Sequence, residues 1–291
     1  METEDRRVEF DFEVEFTNGG GIQGQGFRLD IEGDDIEDAA LAAYIVRDMR
    51  LLMAGEVRIL NRRIIRERHK RVPEAAGRTR IDLSHVVEDG MITYKGLPAP
   101  VVCDFLSREA SREHYAPGTE FHIGSVQLCA NTGTYVDSPF HRYPDGADMA
   151  ELPLDRLADL DAVVVDSREQ ALDRSAFEGV EVPGRAVLVR TGWSRHWRTD
   201  AYFEGHPFLT ADAAAYLVDE GALLVGIDSL NIDDTATGER PVHSTLLAAG
   251  IPICEHLTNL DALPDAGFRF SAVPVKLRGL GTFPVRSYAV L

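Results

Sequence analysis

The chain has 291 residues, with 30 Lys and Arg against 48 Asp and Glu, a formal net charge of −18, and 44% hydrophobic and 27% charged side chains. That charge repels phosphate backbones and anionic lipid headgroups, which argues against nucleic-acid and membrane partners. The composition is that of a globular protein large enough for one big domain or two unequal ones. Cys103, Cys129 and Cys254 have no close spacing, so neither a disulfide framework nor a zinc knuckle is indicated and a reducing cytoplasm fits. The segment 1–7 is charged and no window approaches 18 apolar residues, so neither a signal peptide nor a membrane span is expected.

Residues 1–72 read as a small α+β module of β-β-α-β order. Val8, Phe10, Phe12, Val14 and Phe16 alternate with acidic residues, a period-2 strand with one apolar face. Asn18-Gly19-Gly20-Gly21 supplies the reversal into a second strand through Phe27, Leu29 and Ile31. Lacking a Lys-Ser/Thr and a following helix, the glycine run reads as a hairpin and not as a phosphate loop. A helix from about Glu37, with Ala40, Leu41, Tyr44, Ile45, Met49 and Leu52 at helical spacing, ends before Gly55, and a strand through Val57, Ile59, Leu60, Ile64 and Ile65 closes the module. Arg58, Arg62, Arg63, Arg66, Arg68, Lys70 and Arg71 form a basic cluster, read as a solvated face that pairs with acidic neighbours. So small a core calls for packing on another domain or chain.

Residues 73–80 hold turn formers without periodicity and read as a linker, leaving 81–291 as the larger domain. Ile81–His85 reads as its first strand, with His85 a structural histidine. The loop Gly96–Pro100 and Tyr94 are candidates for a substrate rim. Ala162–Asp166, Ala186–Thr191 and Leu223–Ile227 are short apolar runs of buried-strand type; Ala211–Glu220 is a helix capped at Thr210, and Ala272–Leu277 and Val285–Leu291 are further strands. The fold class is therefore mixed α/β. Trp193 and His206 lie in loops beside strand and helix ends, where ligands gather in α/β proteins, and are placed in the substrate pocket. Asp228, ending an apolar strand, must find a partner if buried and is assigned a supporting role.

The chemistry concentrates in two stretches. Cys129-Ala130-Asn131-Thr132-Gly133-Thr134-Tyr135-Val136-Asp137-Ser138-Pro139-Phe140-His141 is too broken by Gly133 and Pro139 for helix interior, and Pro241-Val242-His243 is followed by Gly250-Ile251 and Glu255. Two imidazoles and two carboxylates suit a divalent metal with a proton carrier.

Here the chain resembles the metal-dependent cyclase/hydrolase family that includes bacterial kynurenine formamidase and isatin hydrolase, with the signature His-x-Gly-Thr-His-x-Asp-x-Pro-x-His followed by Pro-Val-His, Gly-Ile, Glu and Asn-Leu-Asp. Gly133, Thr134, Asp137, Pro139, His141, Pro241, Val242, His243, Gly250, Ile251, Glu255, Asn259, Leu260 and Asp261 fall on that pattern, over roughly residues 80–291. The resemblance implies a mixed, partly barrel-like β structure flanked by helices, commonly dimeric. It also implies a small-molecule amide, formamide or lactam substrate, zinc or manganese bound near Asp137, His243 and Glu255, and His141 as acid/base. Residues 8–72 are expected to contribute to a homo-oligomer contact.

Two positions depart: Asn131 and Tyr135 stand where the pattern has histidines that, with the Asp, hold one metal. An amide oxygen is a weak ligand for a borderline cation, and a phenol ligates well only after losing a proton of pKa about 10. Asp137, His243 and Glu255 remain, one nitrogen and two carboxylates, the donor count of a catalytic site with a position left open. Three readings stay open: a retained metal, metal-free chemistry through Tyr135, Asn131 and His141, or a degenerate site turned binding pocket or scaffold.

Overall fold

The computed structural model describes residues 6–66 other than 32, 34 and 52, and residues 78–291. Backbone contacts divide the chain into two units, residues 1–77 and 78–291. Of the expected linker, 73–77 lie outside the described residues, and Arg80 already belongs to a strand; Arg68, Lys70 and Arg71 of the basic cluster also lie outside them.

In the first unit, β1 (Arg6–Phe16), β2 (Gly21–Asp30) and β3 (Ala54–Arg66) form an antiparallel sheet of order β2-β1-β3, with the helix α1 (Asp38–Asp48) between β2 and β3 in sequence. The alternation of β1 sends Val8, Phe10, Phe12 and Val14 to one face, where they bury with Leu41 and Ile45 of α1, each such side chain contributing about 1.5–3 kcal/mol of burial. The glycine run makes the turn, with Gly19 and Gly20 at φ of 91° and 84°. Gly24 is required where β1 shifts register, because a Cβ there would sit 2.4 Å from the Phe12 ring. Three arginines of the cluster meet acids: Arg58 with Glu13 at 3.0 Å, Arg62 with Asp38 at 2.9 Å, and Arg63 with Glu9.

The second unit begins with β4 (Arg80–Asp82), the hairpin β5 (Val101–Leu106) and β6 (Ile123–Gln127) with the short α2 (Arg108–Ser111) between them, and β7 (Tyr135–Asp137). There follow β8 (Leu160–Asp166), β9 (Ala171–Leu172), β10 (Ala186–Arg190), β11 (Phe208–Leu209), α3 (Ala211–Asp219), β12 (Leu224–Ile227) and α4 (Pro241–Ala248). The chain closes with β13 (Ile253–Glu255), β14 (Ala266–Ser271), β15 (Thr282–Pro284) and β16 (Tyr288–Val290). Nine strands make one curled, half-barrel sheet of order β15-β7-β13-β12-β10-β8-β14-β16-β4.

Its centre, β13-β12-β10-β8, is parallel, and such strands bury both faces. Val163, Val165, Val187, Val189, Val225 and Ile227 pack against Ala213 and Leu217 of α3 and Val242 and Leu246 of α4. Ala162, Val164, Leu188 and Leu224 pack the other way, against Leu83, Leu257, Phe268 and Phe270. The expected strand at Ala272–Leu277 is instead β14, six residues earlier: Pro274 has no N–H for a ladder, whereas Phe268 and Phe270 alternate into the core. Among the described residues no helix is long and apolar enough to cross a membrane.

Candidate active site

The site grows from strand register. In β7 the period of two turns Val136 into the core and places Tyr135 and Asp137 on the other face. β13 pairs antiparallel with β7 so that Glu255 stands opposite Tyr135, and β15 pairs on the far side so that Thr282 stands opposite Asp137. Cross-strand neighbours of this kind sit within hydrogen-bonding reach. Tyr135 Oη donates to Glu255 Oε2 at 2.5 Å, and Thr282 Oγ1 donates to Asp137 Oδ1. The loop after β7 turns back over β15, and Gly281 admits it: a Cβ there would lie 2.4 Å from the His141 backbone.

His243 comes from the first turn of α4. Asp233, fully buried, accepts the backbone N–H of Val242 at 2.8 Å and of His243 at 3.0 Å, capping the helix, and takes His243 Nδ1–H at 2.6 Å. This carboxylate–imidazole contact fixes the tautomer and turns Nε2 toward the other carboxylates, 3.6 Å from Asp137 Oδ2 and 3.7 Å from Glu255 Oε1. Burial opposes a charge on this imidazole, but Asp137, Asp233 and Glu255 overcome it and push it up to about 10. Burial, with the Asp137 charge, pushes Glu255 up to about 7 against the opposing pull of His243.

His141 is 36% exposed. Its Nδ1 lies 2.8 Å from Thr282 Oγ1. Since the threonine spends its one hydrogen on Asp137, it accepts from His141 Nδ1–H, an arrangement that in the neutral ring makes Nε2 the lone-pair nitrogen. Burial raises the Tyr135 phenol well above its ordinary value, reinforced by the charges of Glu255 and Asp137, while a hydrogen bond from Asn131 works the other way. Tyr135 is thus held as a donor to Glu255.

A cavity of about 230 Å³ opens on these groups, lined by Asn131, Tyr135, His141, His243 and Glu255 together with Tyr94, Leu97, Arg142, Asn231 and Arg240. Trp193 and His206 do not line it, which corrects their placement in the pocket. Trp193 spends its indole N–H on the Tyr202 carbonyl at 3.0 Å. His206 is buried between the Pro207 carbonyl and the Thr235 hydroxyl. Asp228 holds the turn after β10 through the N–H groups of Thr191 and Gly192, both at 2.8 Å. His85 stacks on Trp197 with ring centroids 4.0 Å apart. Thr282, Asp233, Arg142 and Arg240 escaped the sequence reading; the two arginines were findable as direct neighbours of His141 and of Pro241-Val242-His243.

The donor set suits a divalent cation. Asp137 Oδ2 is buried with no partner at hydrogen-bond distance, faced at 3.6 Å by the His243 Nε2 whose imidazole the carboxylates hold charged, and a divalent cation there would take over the role of that positive charge. Ligand atoms of Asp137, His141 and His243 lie within 4.8 Å of one another, so His141, expected only as proton carrier, also stands within reach of a metal.

Residues 81–234 match a family model described as "Putative cyclase". A kynurenine formamidase of Bacillus cereus is 27% identical over 208 residues, covering 71% of this chain and 95% of that enzyme. Among solved structures, a predicted metal-dependent hydrolase from Bacillus stearothermophilus is 26% identical with a TM-score of 0.59, covering 74% of this chain and 99% of that one. Isatin hydrolase A from Labrenzia aggregata shares the fold, with a TM-score of 0.62 at 21% identity, over 74% of this chain and 94% of that one. The family match spans more than half of the sequence and includes the loop that carries Tyr135, Asp137 and His141, and the chain belongs to the cyclase family.

Proposed function

We propose that the protein is a metal-dependent hydrolase that opens the C–N bond of a small-molecule formamide, amide or lactam. The observation that carries the reading is the partnerless, buried Asp137 Oδ2 beside the oriented Nε2 of His243. Asp137 and His243 would hold the cation, with Glu255 Oε1 as third donor. When bound, a cation at such a site lowers the pKa of water and polarises a carbonyl. With a cation bound in place of its Nε2 proton, His243 would have its lone pair directed inward by Asp233, and Thr282 orients His141 so that its Nε2 can take a proton from the nucleophile and return it to the leaving nitrogen. The Asn131–Tyr135–Glu255 hydrogen bonds replace a second ligand set, so we infer one metal per chain. Tyr135 as proton carrier in metal-free chemistry is disfavoured, since its phenol holds its proton so firmly.

One imidazole and two carboxylates suit manganese and zinc, and we propose one of these two. The readings of residues 1–72 as a module joined through 73–80 to the domain 81–291, of a homo-oligomer with residues 8–72 at a contact, and of a cytoplasmic setting belong to the same proposal; three free cysteines agree with the last. The test is hydrolysis of a panel of aryl formamides, amides and lactams before and after chelation. Activity lost on chelation and restored by manganese or zinc is the expected result. Turnover unaffected by metal removal would overturn it.

A further inference from the structure

His256 carries two costs that folding does not require. It is a non-glycine residue in the left-handed region, with φ of 56°, and it is fully buried. Such conformers persist where the surroundings over-determine them, and they gather at functional sites. Its Nε2 is also buried with no hydrogen-bond partner among the described residues, an unfavourable state for a polar atom. Both costs fall on the residue that directly follows Glu255.

The left-handed turn decides where the ring goes. Along β13 the alternation sends Cys254 into the core with Val136 and Glu255 to the cavity, so an extended residue 256 would return to the Cys254 side. The positive φ instead brings the His256 ring against Tyr135, with centroids 5.1 Å apart at 53°. The backbone is pinned at both ends: His256 N–H donates to the Ser229 carbonyl at 3.3 Å, and its own carbonyl accepts from Thr134 Oγ1 at 2.6 Å. The ring is fixed as well. Tyr202 Oη donates to Nδ1 at 2.9 Å, since its hydrogen has no other acceptor among the described residues, and the Trp197 ring stands edge-on at 5.5 Å. Tyr135, whose phenol is the donor to Glu255 Oε2, is therefore backed by an imidazole that is itself held on every side.

We propose that His256 is a positioning residue that acts through Tyr135: its ring backs the phenol against Glu255 Oε2, so that the carboxylate keeps Oε1 facing His243. It supplies no ligand and moves no proton. The claim about Tyr135 and Glu255 holds in metal-free protein, and only its consequence for a cation rests on the hydrolase reading. Two substitutions separate this role from a merely structural one. His256→Asn tolerates the left-handed backbone and keeps an acceptor for Tyr202, but has no ring to set against Tyr135. His256→Phe keeps a ring there, but strains the backbone more and strands the Tyr202 hydroxyl. Three quantities are read: the melting temperature; the low-field hydroxyl proton that a strong phenol–carboxylate bond gives in NMR of the metal-free protein, identified by its absence in Tyr135→Phe; and the affinity for manganese alone, by competition with a chelator. The Asn variant should be the more stable of the two, yet lose the low-field resonance and about 10-fold in manganese affinity, the lower end of the effect of a residue behind a ligand. The Phe variant should melt lower, yet keep the resonance and bind manganese within about threefold of the wild type. If it does not fold, Leu172→Ala, a core change on the α3–α4 side of the sheet, takes its place and should lower the melting temperature while leaving the other two quantities alone. Affinity that falls in step with stability in every variant, or an Asn variant with resonance and affinity unchanged, would overturn the proposal. A wild type that takes up no manganese, with the resonance still lost in His256→Asn, would leave the positioning role standing and count against the metal reading instead.

Discussion

Replacing Tyr135 with Phe removes a single oxygen, and the structure fixes what that oxygen does. Tyr135 is 1% exposed and Glu255 is fully buried, and the 2.5 Å hydrogen bond between them is the only donor to Glu255 Oε2 among the described residues. A hydrogen bond to a charged group is worth about 1.5–3 kcal/mol, and a buried acceptor stripped of its donor loses that in full. For a folding unit of this size each kcal/mol shifts Tm by about 2–4 °C, so Tyr135→Phe should melt roughly 3–12 °C below the wild type in metal-free protein. Glu255, already pushed up by burial to about 7, would then hold a proton more readily and bind a cation more weakly. Parallel thermal melts and elemental analysis read both effects, with turnover falling in step with metal content. An unchanged Tm would refute the claim that the phenol holds Glu255. Abolished turnover at full metal content would make Tyr135 a participant in the chemistry and contradict its assignment as a positioning residue.

His141→Ala should cost roughly 10²- to 10⁴-fold in turnover with metal content intact, whereas equal loss of both would make His141 a ligand. Asp233→Asn, which unties His243 Nδ1, should weaken metal affinity about 10- to 100-fold; unchanged affinity measured by competition with a chelator would remove Asp233 from the account. Burial depresses His85 to about 4 and His256 to about 3, so the unfolded chain binds more protons there. Their contribution is complete above about pH 6.5 and is lost as pH falls toward those values, at about 1.4 kcal/mol per pH unit for each. Urea unfolding at pH 7 and pH 5 should show that loss, and a His85→Gln variant should show a shallower slope; identical slopes would contradict the assignment.

Much of the site was legible because its residues fall in two short stretches whose chemistry survives without tertiary detail: Asp137 and His141 around a proline, and His243 after Pro241-Val242. What stayed hidden is what register creates. Thr282 meets Asp137 across a distance of 145 residues in sequence, and a threonine in a Gly-Thr-Phe-Pro stretch carries no signal of its own. Asp233 lies ten residues before His243, a separation that means nothing until α4 folds back over it. The rule that ligands gather in loops after strands pointed to Trp193, yet that loop closes on itself through Tyr202. Strand β5 went unread because its residues are exposed on both faces, apart from part-buried Leu106, so burial imposes no alternation on the sequence. The central strands could be read because both of their faces are covered, which turns Val163–Val165, Val187–Val189 and Leu224–Ile227 into unbroken apolar runs.

The most direct test of one metal held by Asp137 and His243 is elemental analysis of protein purified without chelators, beside Asp137→Asn and His243→Ala. The account predicts close to one manganese or zinc per chain in the wild type and loss of it in both variants, with the Asn131→His, Tyr135→His double variant gaining a second equivalent because two neutral imidazoles then flank Asp137. A wild-type protein that takes up no divalent metal, or one that keeps its metal after both single substitutions, would contradict it.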